Sequence, residues 1–419
     1  MSTPRTISDE THRRPFAWLR ALGPEGRRAF TGAFGGYGLD AYDFYALPLS
    51  TVAIAAYFGL TGGQTGLLVT ATMVASGVGG ALAGALADRI GRMRALLATV
   101  LTYAVFTVAC GLATDYGTLL VFRALQGIGF GGEWAVGAVL VAEYTSARHR
   151  GRTLAAVQSA WAVGWGLAVL VYTAVFGLLE QELAWRVMFF TGALPALLVL
   201  WIRKHVRDAP AAARERATRR RPLADIFRRG MLRTTVFASL MATGVQGGYY
   251  TLATWVPSYL ADDRGFAVVT TGGFIAAQIA GAFTGYLTGG RLTDLLGRKK
   301  TVAVFAALSA GCILGYTRVP DGADGLLLVL GFPLGFCMSA IFSGFGSFLA
   351  ELYPTAVRAT GQGFTYNAGR GLGACFPALV GALADSWGVG GALAFGALAY
   401  AIGALALLGL PETRGRELV

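Results

Sequence analysis

The chain has 419 residues, of which 55% are hydrophobic and only 14% charged, with a net charge of +12. That balance is too apolar for a soluble chain of this length. The arginines cluster between the apolar stretches, so nucleic-acid binding is not needed to account for the surplus of positive charge.

Residues 1–27 are polar and basic with no apolar core, which predicts a cytosolic tail and not a cleaved signal peptide. Apolar stretches follow at 29–58, 65–87, 95–113, 117–142, 153–179 and 184–202. A basic segment at 204–231 carries seven arginines within 214–229, together with Pro210 and Pro222, and reads as a linker lying on the anionic inner leaflet. Six more apolar stretches come after it, at 233–261, 268–293, 301–317, 325–350, 360–384 and 391–410. Crossing a bilayer takes about 20 apolar residues. The expectation is therefore an all-α integral membrane protein with twelve transmembrane helices. Residues 28–203 and 232–411 form two six-helix bundles, and 412–419 form a cytosolic tail. If both termini are cytosolic, 30 of the 35 basic residues lie inside. The positive-inside rule selects that orientation, in a cell (inner or plasma) membrane. With three lysines against 32 arginines, the composition suggests a bacterial genome rich in G and C.

The two halves are copies. Gly84-Ala85-Leu86-Ala87-Asp88-Arg89-Ile90-Gly91-Arg92 returns 206 positions later as Gly290-Arg291-Leu292-Thr293-Asp294-Leu295-Leu296-Gly297-Arg298, with glycine, aspartate, glycine and arginine in register. A second pair repeats at offset 208: Glu143 with Arg150, and Glu351 with Arg358. Duplicated membrane halves, related by pseudo-two-fold symmetry, are the architecture of secondary transporters, with the substrate site between them. Asp88 and Asp294 each lie where a helix meets the cytosol, beside Arg92 or Arg298. A carboxylate there can hold a cation or a helix N-terminus in one conformation and release it in another. The expected gating set is therefore Asp88, Arg92, Glu143 and Arg150 in the first half, with Asp294, Arg298, Glu351 and Arg358 in the second.

Enzyme readings find little support. Gly127-Ile128-Gly129-Phe130-Gly131-Gly132 fits the dinucleotide GxGxxG pattern, but it sits inside an apolar helix with no strand before it. Close helix packing is the better reading. The three histidines fall in predicted cytosolic segments, and the four cysteines have no CxxC spacing. No metal site, disulfide or cofactor is expected.

What remains is a set of ionisable residues within the spans, where a charge costs at least ~2.5 kcal/mol and is usually functional. Asp40 and Asp43 share one face of helix 1. Arg123 and Glu133 fall in helix 4, and Arg370 in helix 11 on the face of Asn367, the only asparagine in the chain. Asp40, Asp43, Glu133 and Arg370 are expected to converge near the bilayer midplane, with Arg123 higher in its helix. Three acids facing two bases should raise one carboxyl pKa and leave a proton carrier, so Asp40, Asp43 and Glu133 are the proton-coupling candidates. Arg370 is the candidate anchor for a substrate carboxylate, because a guanidinium can bind it through two parallel bonds. Asn367, Arg123, Gln246, Tyr249 and Tyr250 are further candidate substrate residues, although the last three can equally be packing or interfacial residues. The competing structural reading is that Arg370 only neutralises Asp40 or Asp43.

The repeated block resembles the signature of the major facilitator superfamily, and the resemblance covers the whole chain. Leu39-Asp40-Ala41-Tyr42-Asp43-Phe44-Tyr45, Gly129-Phe130-Gly131-Gly132-Glu133-Trp134, Gly361-Gln362-Gly363-Phe364-Thr365-Tyr366-Asn367-Ala368-Gly369-Arg370 and Pro411-Glu412-Thr413-Arg414 are similar to segments of its metabolite–proton and sialate–proton symporters. Leu295 stands where the family pattern has arginine, so Asp88 is expected to be the stronger latch. The resemblance implies a monomeric carrier, not an enzyme, that moves a small organic anion such as a monocarboxylate or sialate with protons by alternating access. A sugar, polyol or aromatic-acid carrier, or a transporter-like sensor, is the alternative.

Overall fold

A computed structural model describes residue 19 and residues 22–90, 92–144, 150–194, 223–354 and 357–414. The first half contains α1 (Gly23–Phe58), α2 (Gly62–Ile90), α3 (Arg92–Gly111), α4 (Tyr116–Tyr144), α5 (Arg150–Leu178) and α6 (Gln181–Phe190). The second contains α7 (Arg229–Ser258), α8 (Val268–Leu296), α9 (Arg298–Thr317), α10 (Asp324–Glu351), α11 (Arg358–Gly373), α12 (Cys375–Leu393) and α13 (Phe395–Ala406). These make the twelve expected crossings. Among the described residues five helical stretches are apolar and long enough to span by composition alone; polar residues dilute others, as in α1, which buries Asp40 and Asp43. Apolar side chains such as Leu170, Leu178, Val269, Val329 and Leu408 stand exposed on the outer surface, where lipid tails would cover them.

Local chemistry sets the helix ends. Helix α1 starts with Pro24 in its first turn, where the missing N–H is harmless. It stops at Gly59, whose left-handed conformation (φ +64°) lets its N–H reach the Ala55 carbonyl. Thr61 and Gln64 form a reciprocal capping box at the start of α2.

The end of the chain departs from the expected spans 360–384 and 391–410. The eleventh crossing is broken between α11 and α12, at Ala374. Pro377 explains the break, since it has no N–H to give the Gly373 carbonyl one turn back. The twelfth crossing starts inside α12, at Gly388 (φ +71°), and runs through α13. The tail 1–27 overlaps α1, which begins at Gly23, and the linker 204–231 overlaps a 3-10 turn at Leu223–Phe227 and the start of α7. Most of that linker lies outside the described residues.

The duplication is visible in the packing. Helix α2 packs on α4, α3 on α4 and α1 on α5; in the second half α8 packs on α10, α9 on α10 and α7 on α11. The glycine contacts repeat with them. A Cβ at Gly127 would strike the Thr72 carbonyl, and one at Gly335 the Gln278 carbonyl, at the offsets 208 and 206 seen in the sequence. Gly79 meets Ile128, and Gly285 meets Phe336. In the GxGxxG segment, Gly127, Gly129 and Gly131 all face backbone atoms of α2 or α3. The motif is a helix-packing surface.

The halves meet along α1 with α7, α2 with α11 and α12, and α5 with α8. At the end where α2 begins, a Cβ on Gly66 would lie 2.5 Å from the Pro377 carbonyl, and the Gly62 N–H donates to Asp385 Oδ1 at 2.9 Å. At that end the two halves are in contact.

Candidate functional site

Between the halves lies a cavity lined from both bundles. Tyr37 and Phe44 come from α1, Met73 from α2, Phe130 from α4, and Gln158 and Trp161 from α5. The second half contributes Tyr249, Tyr250, Tyr286, Phe342, Tyr366 and Arg370. Nine of these twelve residues are aromatic, Arg370 is the one cation among them, and none is acidic.

Hydrogen bonds hold the aromatic walls in place. The Tyr249 hydroxyl lies 2.9 Å from that of Tyr45 and accepts from Trp161 Nε1 at 2.5 Å, which ties α7 to α1 and α5. Tyr45 stacks on Trp165 with ring centroids 4.5 Å apart. Tyr250 donates to Gln246 Oε1 at 3.1 Å, and Gln246 Nε2 donates to the Tyr366 carbonyl at 3.0 Å. Gln158 Nε2 donates to the Tyr37 hydroxyl at 3.1 Å.

Arg370 is 5% exposed, and its guanidinium lies 5.4 Å from the Phe130 ring centroid and 5.2 Å from that of Tyr366. Two rings thus hold its orientation through cation–π attraction. Its Nε has no hydrogen-bond partner among the described residues. A buried guanidinium donor without an acceptor is costly unless something fills the place.

Two of the sequence-selected acids lie elsewhere. Asp43 is 1% exposed and accepts from Gln126 Nε2. Gln126 also donates to Thr107 Oγ1 at 2.7 Å and accepts from Arg123 Nη1 at 2.5 Å. Arg123, also 1% exposed, is therefore joined to Asp43 through Gln126 in a polar cluster inside the first bundle. It does not line the cavity. Asp40 is buried as well, and neither aspartate is among the lining residues. Asn367 also lies off the cavity: its amide donates to the Gly363 carbonyl at 2.9 Å, and its Oδ1 faces Gly80 of α2. Of the other candidates, Tyr249 and Tyr250 line the cavity and Gln246 stands one hydrogen bond behind Tyr250. The Glu133 side chain lies outside the described residues.

At the opposite end of the second bundle from the Asp385 contact, the repeated block builds a polar cluster. Arg298 donates to Glu351 through Nε and Nη2 at 3.1–3.2 Å and pairs with Asp294 at 3.1 Å. Asp294 is 74% exposed, so its pair is worth ~0–1 kcal/mol, and the half-hidden Arg298–Glu351 pair dominates. Arg358 Nε donates to the carbonyls of Ala350 and Tyr353. The chain's tail completes the cluster. Thr413 donates to Glu351 Oε2 at 2.6 Å, and Glu412 accepts from the backbone N–H groups of Arg298 and Lys299. Burial pushes the Glu412 carboxyl up, but hydrogen bonds from the N–H groups of Arg414, Arg298, Thr413 and Lys300 outweigh it and hold it below the ordinary glutamate range. The side chains of Asp88, Arg92, Glu143 and Arg150 lie outside the described residues.

Sequence reasoning passed over Tyr37, Gln158, Tyr286 and Tyr366. A signal was available for two of them: Tyr37 lies two turns before Phe44, and Tyr366 one turn before Arg370, on the same helix faces.

The comparisons with known proteins agree with this architecture. The family model described as "Major Facilitator Superfamily" matches residues 33–376 and 277–418. The "Probable 4-methylmuconolactone transporter" of Cupriavidus pinatubonensis is 39% identical over 96% of this chain and 94% of its own length. The sialic acid transporter of Escherichia coli is 29% identical over 94% of this chain and 96% of its own. The structure of a proton:xylose symporter bound to 6-bromo-6-deoxy-D-glucose superposes with a TM-score of 0.73 at 20% identity, covering 94% of this chain and 98% of that one. At that identity the likeness concerns the fold.

Proposed function

The chain belongs to the Major Facilitator Superfamily, and we propose that it is a secondary active transporter that carries a small organic acid together with protons. One observation supports this above the rest: a single buried guanidinium, Arg370, with an unfilled donor in an aromatic cavity between the halves. A substrate carboxylate supplies the missing acceptor, and its charge offsets that of the guanidinium. Relatives named for muconate and sialic acid transport point to carboxylates as well. Proton coupling is assigned to the acids Asp40, Asp43 and Glu133, with Asp43 favoured by its link through Gln126 to Arg123. Gaining or losing a proton there changes the charge balance of a buried cluster, where it matters most. Gating is assigned to the repeated blocks at the cytosolic end, with both termini and the 204–231 linker inside.

The test is uptake by proteoliposomes under an imposed pH gradient. Wild-type protein should accumulate the acid. Arg370→Lys, which keeps the charge but loses the planar fork, should bind it much more weakly. Asp43→Asn should lose uphill uptake and keep exchange, which needs no net proton release. Near-normal affinity in Arg370→Lys removes that residue from the site. Retained accumulation in Asp40→Asn, Asp43→Asn and Glu133→Gln alike excludes proton coupling through these acids. Cysteines placed at Ser8 and Thr218 should react with an impermeant maleimide only in opened membranes; labelling in intact cells contradicts the orientation.

A further inference from the structure

The cavity also restricts which organic acid it can take. We infer that the site selects a flat, largely apolar monoanion, and rejects both dianions and polyhydroxylated acids. The inference rests on the organic-acid reading above and adds charge number and shape to it.

Charge number comes from the lining. Arg370 is the one cation among the twelve lining residues, and its neighbours are the rings of Phe130 and Tyr366. One carboxylate meets the guanidinium. A second would leave water for a wall without a further cation, whose hydroxyl and amide groups on Tyr249, Tyr250, Tyr37 and Gln158 are already bonded, a position an ionised group avoids.

Shape comes from the walls. Phe44 stands against Phe130, Trp161 and Tyr250 at centroid distances of 6.4, 5.6 and 5.9 Å, so the first half's aromatic wall continues into the second. Rings at such distances favour the face or edge of another flat π system. The hydrogen-bonding groups of the wall are already engaged with one another: Tyr249 with Tyr45 and Trp161, Tyr250 with Gln246, and Gln158 with Tyr37. A sugar acid needs partners for several hydroxyls. It would have to break these bonds to find them.

Isothermal titration of the purified full-length protein with a graded set of acids tests this. Benzoate is the reference probe. Terephthalate, a dianion on the same ring, should bind about a hundredfold more weakly or not at all, while its monomethyl ester, larger but singly charged, should recover to within about tenfold of benzoate. Cyclohexanecarboxylate, with the same charge on a puckered ring, should bind about three- to tenfold more weakly. Benzamide, flat but neutral, should lose about tenfold or more, and sialate should give no measurable heat. Terephthalate equal to its monoester, sialate equal to benzoate, or cyclohexanecarboxylate equal to benzoate overturns the inference. If benzoate fails while sialate or lactate binds, the inference falls and the organic-acid reading stands. If none of these acids binds, both fall.

Discussion

Gly66 is the position where one added carbon should change the conformation of the whole protein. It lies in the first turns of α2, at the end where the halves touch. A Cβ there would sit 2.5 Å from the Pro377 oxygen, 2.7 Å from Ala378 Cα and 2.9 Å from Ala378 N. All three are backbone atoms of the other half, so no side chain can swing away. The strain can be relieved only if α2 and α12 separate. Overpacking by one or a few carbons costs ~1–3 kcal/mol, and here that cost falls on the closed arrangement and spares the one in which the halves part. Gly66→Ala and Gly66→Val should therefore shift the balance toward opening at this end by about 5- to 150-fold, valine more than alanine. Spin labels at Leu178 and Val269, at the ends of α5 and α8 and 84% and 67% exposed, report the separation. Wild-type protein should give a short distance distribution, and the variants a second, longer one with slowed uptake. Gly311→Ala, where nothing lies within 4 Å, is the control and should change nothing. An unaltered distribution and full uptake in Gly66→Val would refute the reasoning.

Other outcomes follow from the same geometry. Asp385→Asn removes the carboxylate from the N-terminus of α2, an exposed charge–dipole contact worth ~0.3–1 kcal/mol, so the same labels should show about a two- to fivefold rise in the open form, less than Gly66→Val produces. Gln126→Leu cuts the link between Arg123 and Asp43; pH-driven accumulation should fall while benzoate affinity, set in the cavity, stays within about twofold. The Glu412 carboxyl, held below the ordinary range, stabilises tail docking above the unfolded value of about 4.3 and stops doing so as pH falls through its lower folded value. The protection factors of the Arg298 and Lys299 amides, taken against the intrinsic exchange rate at each pH, should thus be high at neutral pH and fall in acid, and Glu412→Gln should show low protection throughout. Pro411→Ala should leave that protection unchanged.

The duplication and the twelve spans were legible because they depend on one-dimensional patterns, namely apolar length and a block recurring at one offset. The same pattern survives in space, as Gly127 against Thr72 and Gly335 against Gln278. The Pro377 break was readable in principle, because a missing N–H acts one turn away, but hydropathy averages over it. The site was harder. Charge in a membrane span is a strong signal, so Arg370, Asp43 and Arg123 stood out, but hydropathy carries no information on azimuth. Two residues on one helix can face different neighbours, as Asp43 and Phe44 do. Tyr286 carries no such signal, because a tyrosine in a span is ordinarily interfacial or packed, while Tyr37 and Tyr366 share helix faces with Phe44 and Arg370 and only that spacing marks them.

That divergence within α1 bears on how two distant events could be linked. Asp43 faces Gln126 inside the first bundle, Phe44 lines the cavity, and Tyr45 contacts Tyr249 across the boundary between the halves. These are consecutive residues of one helix, so the backbone fixes the directions in which their side chains leave it, and a rotation of α1 moves all three together. Protonating Asp43 would weaken its hold on Gln126 and free α1 to rotate. The first structures to register that rotation would be the cavity wall and the Tyr45–Tyr249 contact. Arg370 lies on the other half, against Phe130 and Tyr366, so a carboxylate bound there would bias the same boundary from the opposite side. A proton and a substrate that never touch can then act on one element with two positions, which is what energetic coupling requires. Tyr45→Phe removes one of the two hydroxyls that meet at that boundary. If the coupling runs through α1, the variant should still bind benzoate and still exchange it, yet accumulate less per unit of pH gradient. Full accumulation in Tyr45→Phe would mean that the link between proton and substrate does not pass through this contact.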